Sequence, residues 1–210
     1  MSKDGAEPRV RRPQAERSAE TRARVVEAAI GCLHRLGYGS ATIGAVVEAA
    51  RVSRGALTHQ FATKTDLMLA VVREVYEQDV ALYNRSRAGK APRDWLRAVP
   101  AMLWGSINRP AAIAVMEIML ASRSDPDLAV RLRAMQTKID RQAFDWMLDR
   151  YRDAGVEPRP NHEALHRLCV AAARGLALEA VYMGNAAQLE TSIAVLGEAL
   201  GALYPGLGDD

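Results

Sequence analysis

Apolar positions recur at spacings of three and four along most of this chain, and no run alternates apolar and polar residues with period two. The pattern predicts helices throughout and no strands. The first helix opens at Ser18 as N-cap, with Glu20 in its first turn. It runs through Val25, Ala29, Leu33 and Leu36 and stops at Gly37, the residue that tolerates a left-handed conformation. Two short helices follow. Thr42 caps one over residues 43–50, with Ile43, Val46, Val47 and Ala50 inward, and Ser53 caps the next over 54–60, with Val52, Leu57 and Phe61 inward. T-K-T-D at 63–66 has the spacing of a capping box in its Asp form and opens a long helix through Leu67, Val71, Val75 and Leu82.

The stretch NRSRAGKAPR at 84–93 is charged, holds Gly and Pro, and reads as a linker. Beyond it the pattern predicts helices at 94–106, at 110–121 behind an initial Pro, and from Asp125-Pro126 to about residue 154. The last of these carries Leu128, Leu132, Met135, Ile139 and Ala143 on one face. Asn161 caps a helix to 183, and residues 187–203 form the last. The expectation is an all-α protein of about nine helices.

Of the 210 residues 49% are apolar and 25% charged, an ordinary balance for a globular chain. No apolar run approaches the roughly 18 residues of a membrane span, and the first 17 residues lack the apolar centre of a secretory signal. A cytoplasmic protein with no membrane partner is expected. Cys32 and Cys169 each sit in an apolar helical pattern and read as small buried side chains rather than a disulfide. The net charge of +3 divides unevenly: residues 1–64 hold 11 Lys or Arg against 6 Asp or Glu, leaving 17 against 19 for the remainder. A basic front suggests that this part meets a polyanion.

The segment ATIGAVVEAARVSRGALTHQF, 41–61, gives that polyanion a shape. Two helices of about two turns, joined by a few residues, bury too little surface to form an enzyme core. Braced by the helices before and after, such a pair presents its second helix to the DNA major groove. Arg54, Gly55, Thr58 and His59 lie outward, and Gly55 has no side chain to hold the backbone off a duplex. Solvated polar residues on a plain helical corner would show the same spacing.

Residues 21–75 resemble the DNA-binding domain of TetR-type transcriptional regulators. The resembling pieces are T-R-A-R-V-V-E-A-A-I at 21–30, the Thr42 entry, V-S-R-G-A-L-T-H-Q-F at 52–61 and K-T-D-L at 64–67. The resemblance implies a homodimer that reads an inverted-repeat operator of double-stranded DNA. Thr42 would hold a phosphate at a helix N-terminus, Arg54, Gly55 and Thr58 would face bases, His59 and Lys64 would grip the backbone, and Ser53 would be a further DNA-binding residue. It also implies a small-molecule effector that releases a repressor from its operator, an activator being the alternative, and no catalytic role or cofactor. Two positions depart from the family pattern, Thr58 where tyrosine is usual and Gln60 where histidine is frequent, so the operator sequence does not carry over. The expected organisation is a disordered basic arm at 1–17, a three-helix helix-turn-helix domain at 18–63 and a connecting helix at 64–86. A ligand-binding and dimerisation domain at 87–205 and a disordered tail at 206–210 complete it.

LCVAAARGLALEAVYM at 168–183 is apolar nearly all round, so it must be covered on most sides. Its small residues would admit a close neighbour, and with the last helix it resembles the family's four-helix dimer interface. Ala172, Gly175, Leu176, Ile193, Leu196 and Leu200 are the expected contacts. Met102, Met116, Met119, Phe144 and Met147 suit an adaptable apolar pocket, though they suit an ordinary core equally. Arg174 could meet a carboxylate ligand, or pair with Glu179 of a second subunit.

A rival class of function comes from N-H-E-A-L-H at 161–166, which matches the H-E-x-x-H pattern of zinc hydrolases through His162, Glu163 and His166. No third ligand follows in the required place, and Glu163 suits the first turn of a helix with His162 solvated. Cys169 lies one turn from His166, but no oxyanion-stabilising loop accompanies the pair. The expectation is no metal site.

Overall fold

A computed structural model describes residues 14–158, 160–183 and 186–203, without the side chains of 186–188 and 200–203. Among these residues are ten α-helices, one 3-10 turn and no strand. Helix α1 (Gln14–Ser40) begins four residues before the expected start, so Ser18 lies within the helix rather than at its cap. The Ser18 hydroxyl instead accepts a hydrogen bond from Gln60 Nε2 at 2.7 Å. The helix breaks at Gly37, with φ 72° and ψ 170°. A Cβ there would also stand 3.3 Å from Glu117 Oε2, so backbone and space both select glycine.

Helices α2 (Ile43–Ala50), α3 (Arg54–Gln60) and α4 (Lys64–Ser86) have the expected bounds. Each start carries its side-chain cap. Thr42 accepts from Ala45 N, Ser53 from Ala56 N, and Thr63 with Asp66 completes the reciprocal box.

Beyond the linker the expected helix over 94–106 is two, α5 (Pro92–Arg97) and α6 (Val99–Ile107). Pro100 has no N–H for the carbonyl one turn back, and its ring crowds the preceding turn, so the chain breaks at Ala98. Then come α7 (Pro110–Ala121), the 3-10 turn Ser122–Ser124, α8 (Pro126–Asp153), α9 (His162–Met183) and α10 (Ala186–Leu203).

Three apolar clusters hold these helices. The first gathers Val25, Ala29 and Leu33 of α1, Val46 of α2, Leu57 of α3 and Leu67 and Val71 of α4, and continues into α7 (Ala114, Ile118) and α8 (Leu128, Leu132). The linker thus divides the path of the chain but not its core. The second cluster joins α5 to the C-terminal half of α8 around Trp95 and Met147, and the third joins α6, α9 and α10 around Trp104, Ala173 and Ile193. Cys32 and Cys169 are both buried and free.

Candidate nucleic-acid interface and internal cavity

Leu57 and Phe61 turn inward from α3, which leaves Arg54, Gly55, Thr58 and His59 exposed on one side of the rod. Thr42 and Ser53, each exposed at the start of a helix, use one lone pair on the cap and keep the rest of the hydroxyl toward solvent. Thr58 is more committed. Its hydroxyl hydrogen is directed back to Arg54 O and Gly55 O, both at 3.1 Å, which leaves its methyl and both oxygen lone pairs free. A Cβ built on Gly55 would meet Ser53 Oγ at 4.0 Å and no other side chain.

Lys64 is not poised as expected. Its ammonium donates to Tyr38 O at 2.9 Å and lies 4.0 Å from the Tyr38 ring centroid, where burial lowers its pKa against the opposing pull of Asp125. A phosphate would have to take it from that seat. Arg22 was missed: its guanidinium lies 4.5 Å from the Phe61 ring centroid and bonds Gln60 O at 3.5 Å, which ties α1 to the end of α3.

A cavity of about 650 Å3 lies between α4, α6, α7, α8 and α9, with Leu196 of α10 at its edge. Of the expected lining residues, Met116, Met147 and Arg174 reach it. Met119 instead packs on the first cluster and Met102 on the second, while the Phe144 ring stacks on His162 with centroids 4.5 Å apart. The walls are mainly aliphatic and aromatic, interrupted by a few polar groups from α4, α8 and α9. Asp79 is buried enough for its carboxyl pKa to rise above the usual range, although Ser106 and Arg109 both donate to it and pull it down. Asp140 accepts from Gln136 Nε2 at 2.6 Å. Burial lowers the His166 pKa below its ordinary 6.5, so its imidazole faces the cavity neutral at pH 7. Arg174 lies among them.

The expected dimer contacts divide between the two faces of their helices. Ile193 is buried in its own chain, and Leu176 and Leu196 pack, partly buried, against the same cluster. Ala172 is half-buried and Gly175 exposed, while the Leu200 side chain lies outside the described residues. One exposed stripe of α9 runs through Ala164, Leu168, Ala171, Gly175, Leu178 and Tyr182. A helix apolar all round gives no sign of which face its own subunit takes.

His162 is buried rather than solvated, held in an aromatic stack with Phe144 and near the edge of Tyr151. Glu163 points to the surface and pairs with Arg167 at 2.7 Å, so it shares no site with the inward His166. Among the described residues no three His, Cys, Asp or Glu side chains converge to hold a metal ion.

Residues 25–71 match the family model of bacterial regulatory proteins of the tetR family. The HTH-type transcriptional regulator CymR of Pseudomonas putida is 47% identical over 78 residues, which is 37% of this chain and 37% of that one. The chain thus spans little more than a third of the length of that relative. The HTH-type transcriptional regulator BetI of Stenotrophomonas maltophilia is 31% identical over 144 residues, covering 66% of this chain and 67% of the relative. The chain belongs to the TetR family. The fold agrees: a TetR transcription regulator from Haloarcula marismortui superposes with a TM-score of 0.70 at 19% identity, covering 89% of this chain and 99% of that one.

In this TetR-family chain the matched stretch ends within α4, just before the cavity begins at Val72. The lining residues Tyr76, Asp79 and Tyr83 lie beyond it at spacings of three and four, among Val75 and Val80 and with Glu77 beside them. That spacing was a readable signal of a lined space. Glu117 and Arg131 carried no such signal. Glu117 Oε2 accepts from Tyr38 N at 2.9 Å and Arg131 Nη2 donates to Asp66 Oδ1 at 2.6 Å, and both bonds join the N-terminal helices to the rest. No helix among the described residues is long and apolar enough to cross a membrane.

Proposed function

We propose that the protein is a homodimeric, effector-responsive repressor that works in the cytoplasm on an inverted-repeat operator. The observation that carries this reading is α3, which spends Leu57 and Phe61 on the core and offers Arg54, Gly55, Thr58 and His59 together to solvent. One recognition helix reads too few base pairs to select a site, so two must be held at a fixed separation. The exposed stripe of α9 supports such a pairing. Ala164, Leu168, Ala171, Gly175, Leu178 and Tyr182 follow at alternating spacings of four and three, the repeat of a helix seam that packs against another helix. The cavity supports an effector, because its walls include α4, α7 and α8, the helices that also enclose the first cluster. An effector favouring one arrangement of those helices would shift the population of DNA-competent dimers.

The test is selection of bound duplexes from random DNA by the full chain, with the recovered site measured across salt concentrations. The expected result is a two-fold symmetric motif whose affinity falls steeply with salt, since the basic excess lies in residues 1–64. No enriched motif, or an affinity indifferent to salt, refutes the reading.

A further inference from the structure

Arg174 belongs to the cavity side of α9. It shares that side with His166 and Val170, each one turn apart, and not the exposed stripe that runs through Leu168, Gly175 and Leu178. Among the described residues no acceptor is hydrogen-bonded to its guanidinium and no carboxylate pairs with it. The acidic side chains that influence it, Asp140 and Asp79, act only at longer range. Each is already engaged, Asp140 by Gln136 and Asp79 by Arg109 and Ser106. A second subunit meeting the exposed stripe would not reach this cation. The guanidinium fork therefore lies at a chamber of mainly apolar lining, with no side chain of the described residues hydrogen-bonded to it.

A half-buried cation without a hydrogen-bonded carboxylate is partly desolvated, and a ligand that supplies the counter-charge gains affinity from pairing with it. One cation calls for one negative charge. A phosphate dianion would bring a second charge into a wall that already holds Asp79 and Asp140, and an amine would meet Arg174 as a like charge. A planar carboxylate matches the guanidinium fork with two parallel bonds. The rest of the wall, with Val75, Leu103, Val115, Met116, Ile139 and Trp146, asks for a hydrocarbon body.

Resting on the effector reading above, we propose that the cavity takes a monocarboxylic acid with an apolar body, its carboxylate on Arg174. Calorimetric titration of the purified full chain without DNA tests this. The probes are nonanoate and cyclohexylbutanoate, their primary amides, and nonylamine. Each acid should bind roughly tenfold or more tightly than its amide, and the amine should not bind. In Arg174→Gln the acids should lose that advantage, while the amides shift by less than about twofold. The proposal is overturned if amide and acid bind alike, if Arg174→Gln keeps the preference, or if no compound binds. Should Arg174→Gln not fold, the acid-to-amide ratio in the unaltered protein decides the matter alone. Because the titration contains no DNA, failure to find an operator would count against the repressor reading and leave this result standing.

Discussion

Gly55 is the second residue of α3, and apart from the helix backbone the nearest atom to an added methyl would be Ser53 Oγ at 4.0 Å. Nothing inside the protein requires glycine there. Its φ is not left-handed, and the site is open to solvent. Taken alone, Gly55→Ala should stabilise the fold, because glycine in a helix costs about 0.5–1 kcal/mol relative to alanine through the freedom it has when unfolded. Near the helix start the lower figure applies, and about 0.5 kcal/mol raises the melting temperature of a domain this large by about 1–2 °C. On DNA the sign reverses. With α3 in the major groove, the methyl would hold the backbone off the duplex and lengthen the reach required of Arg54, one residue earlier. A base contact of that kind is worth about 1–3 kcal/mol, so losing the weaker limit in both half-sites lowers affinity about thirtyfold. Scanning calorimetry and fluorescence anisotropy on the selected operator measure the two effects separately. A variant that is more stable and binds DNA within twofold of the parent would refute the placement of Gly55 against the duplex.

Asp66→Asn should cost about 1 kcal/mol, because its carboxylate completes the capping box and receives Arg131. Those bonds, with Arg131 the largest cause, hold the Asp66 pKa below its ordinary 3.8, so the stabilisation is complete above about pH 5 and is lost as pH falls through the depressed folded value. Urea denaturation of both proteins should therefore diverge at neutral pH and converge in acid, and a gap that widened in acid would reverse the assignment. Gly175→Glu should leave a folded monomer with no operator binding, since no atom lies within 4 Å of the added Cβ inside the subunit; light scattering that still shows a dimer would put the seam elsewhere. Glu117→Ala strands the Tyr38 N–H at about 1 kcal/mol and should weaken the response of operator binding to any cavity ligand, with an unchanged response excluding this link.

The DNA-facing unit was readable because its chemistry is local. Thr42, Ser53 and Thr63 each cap a helix through a backbone N–H three residues on, so sequence spacing alone locates the starts of α2, α3 and α4. Where an end depends on something distant, the reading slipped. Ser18 looks like a cap, yet the polar residues before it continue the helix and its hydroxyl serves Gln60, 42 residues away. Pro100 was passed over because the residues around it are apolar and helical in pattern on both sides. Met119 and Met116 are one turn apart on α7, but one enters the first cluster and the other the cavity, a distinction that depends on which helix lies opposite. His162 was read from its own turn, while the Phe144 ring that buries it comes from α8.

Helix α7 stands between the two ends of the proposed switch. Ala112, Val115 and Met116 line the cavity, and the next residue, Glu117, holds the Tyr38 N–H where α1 breaks at Gly37. Helix α8 repeats the arrangement, with Ile139 in the wall and Arg131, two turns earlier, on Asp66 at the start of α4. The DNA-facing unit is thus anchored at Tyr38 and Asp66 by two helices that a ligand would touch. Spreading α7 from α8 would displace those anchors relative to each other and turn α3. The energy required limits what the ligand must do. Moving a two-state equilibrium from 1:99 to 99:1 needs about 5.5 kcal/mol of differential affinity. A charge-assisted hydrogen bond contributes only about 1.5–3 kcal/mol, and only if one state forms it and the other does not. The remainder has to come from apolar wall that closes on the ligand in one state alone, about 100 Å2 for each 2.5 kcal/mol. A carboxylate on Arg174 would therefore fix which molecules enter, and the length of the hydrocarbon behind it would fix how far the equilibrium moves.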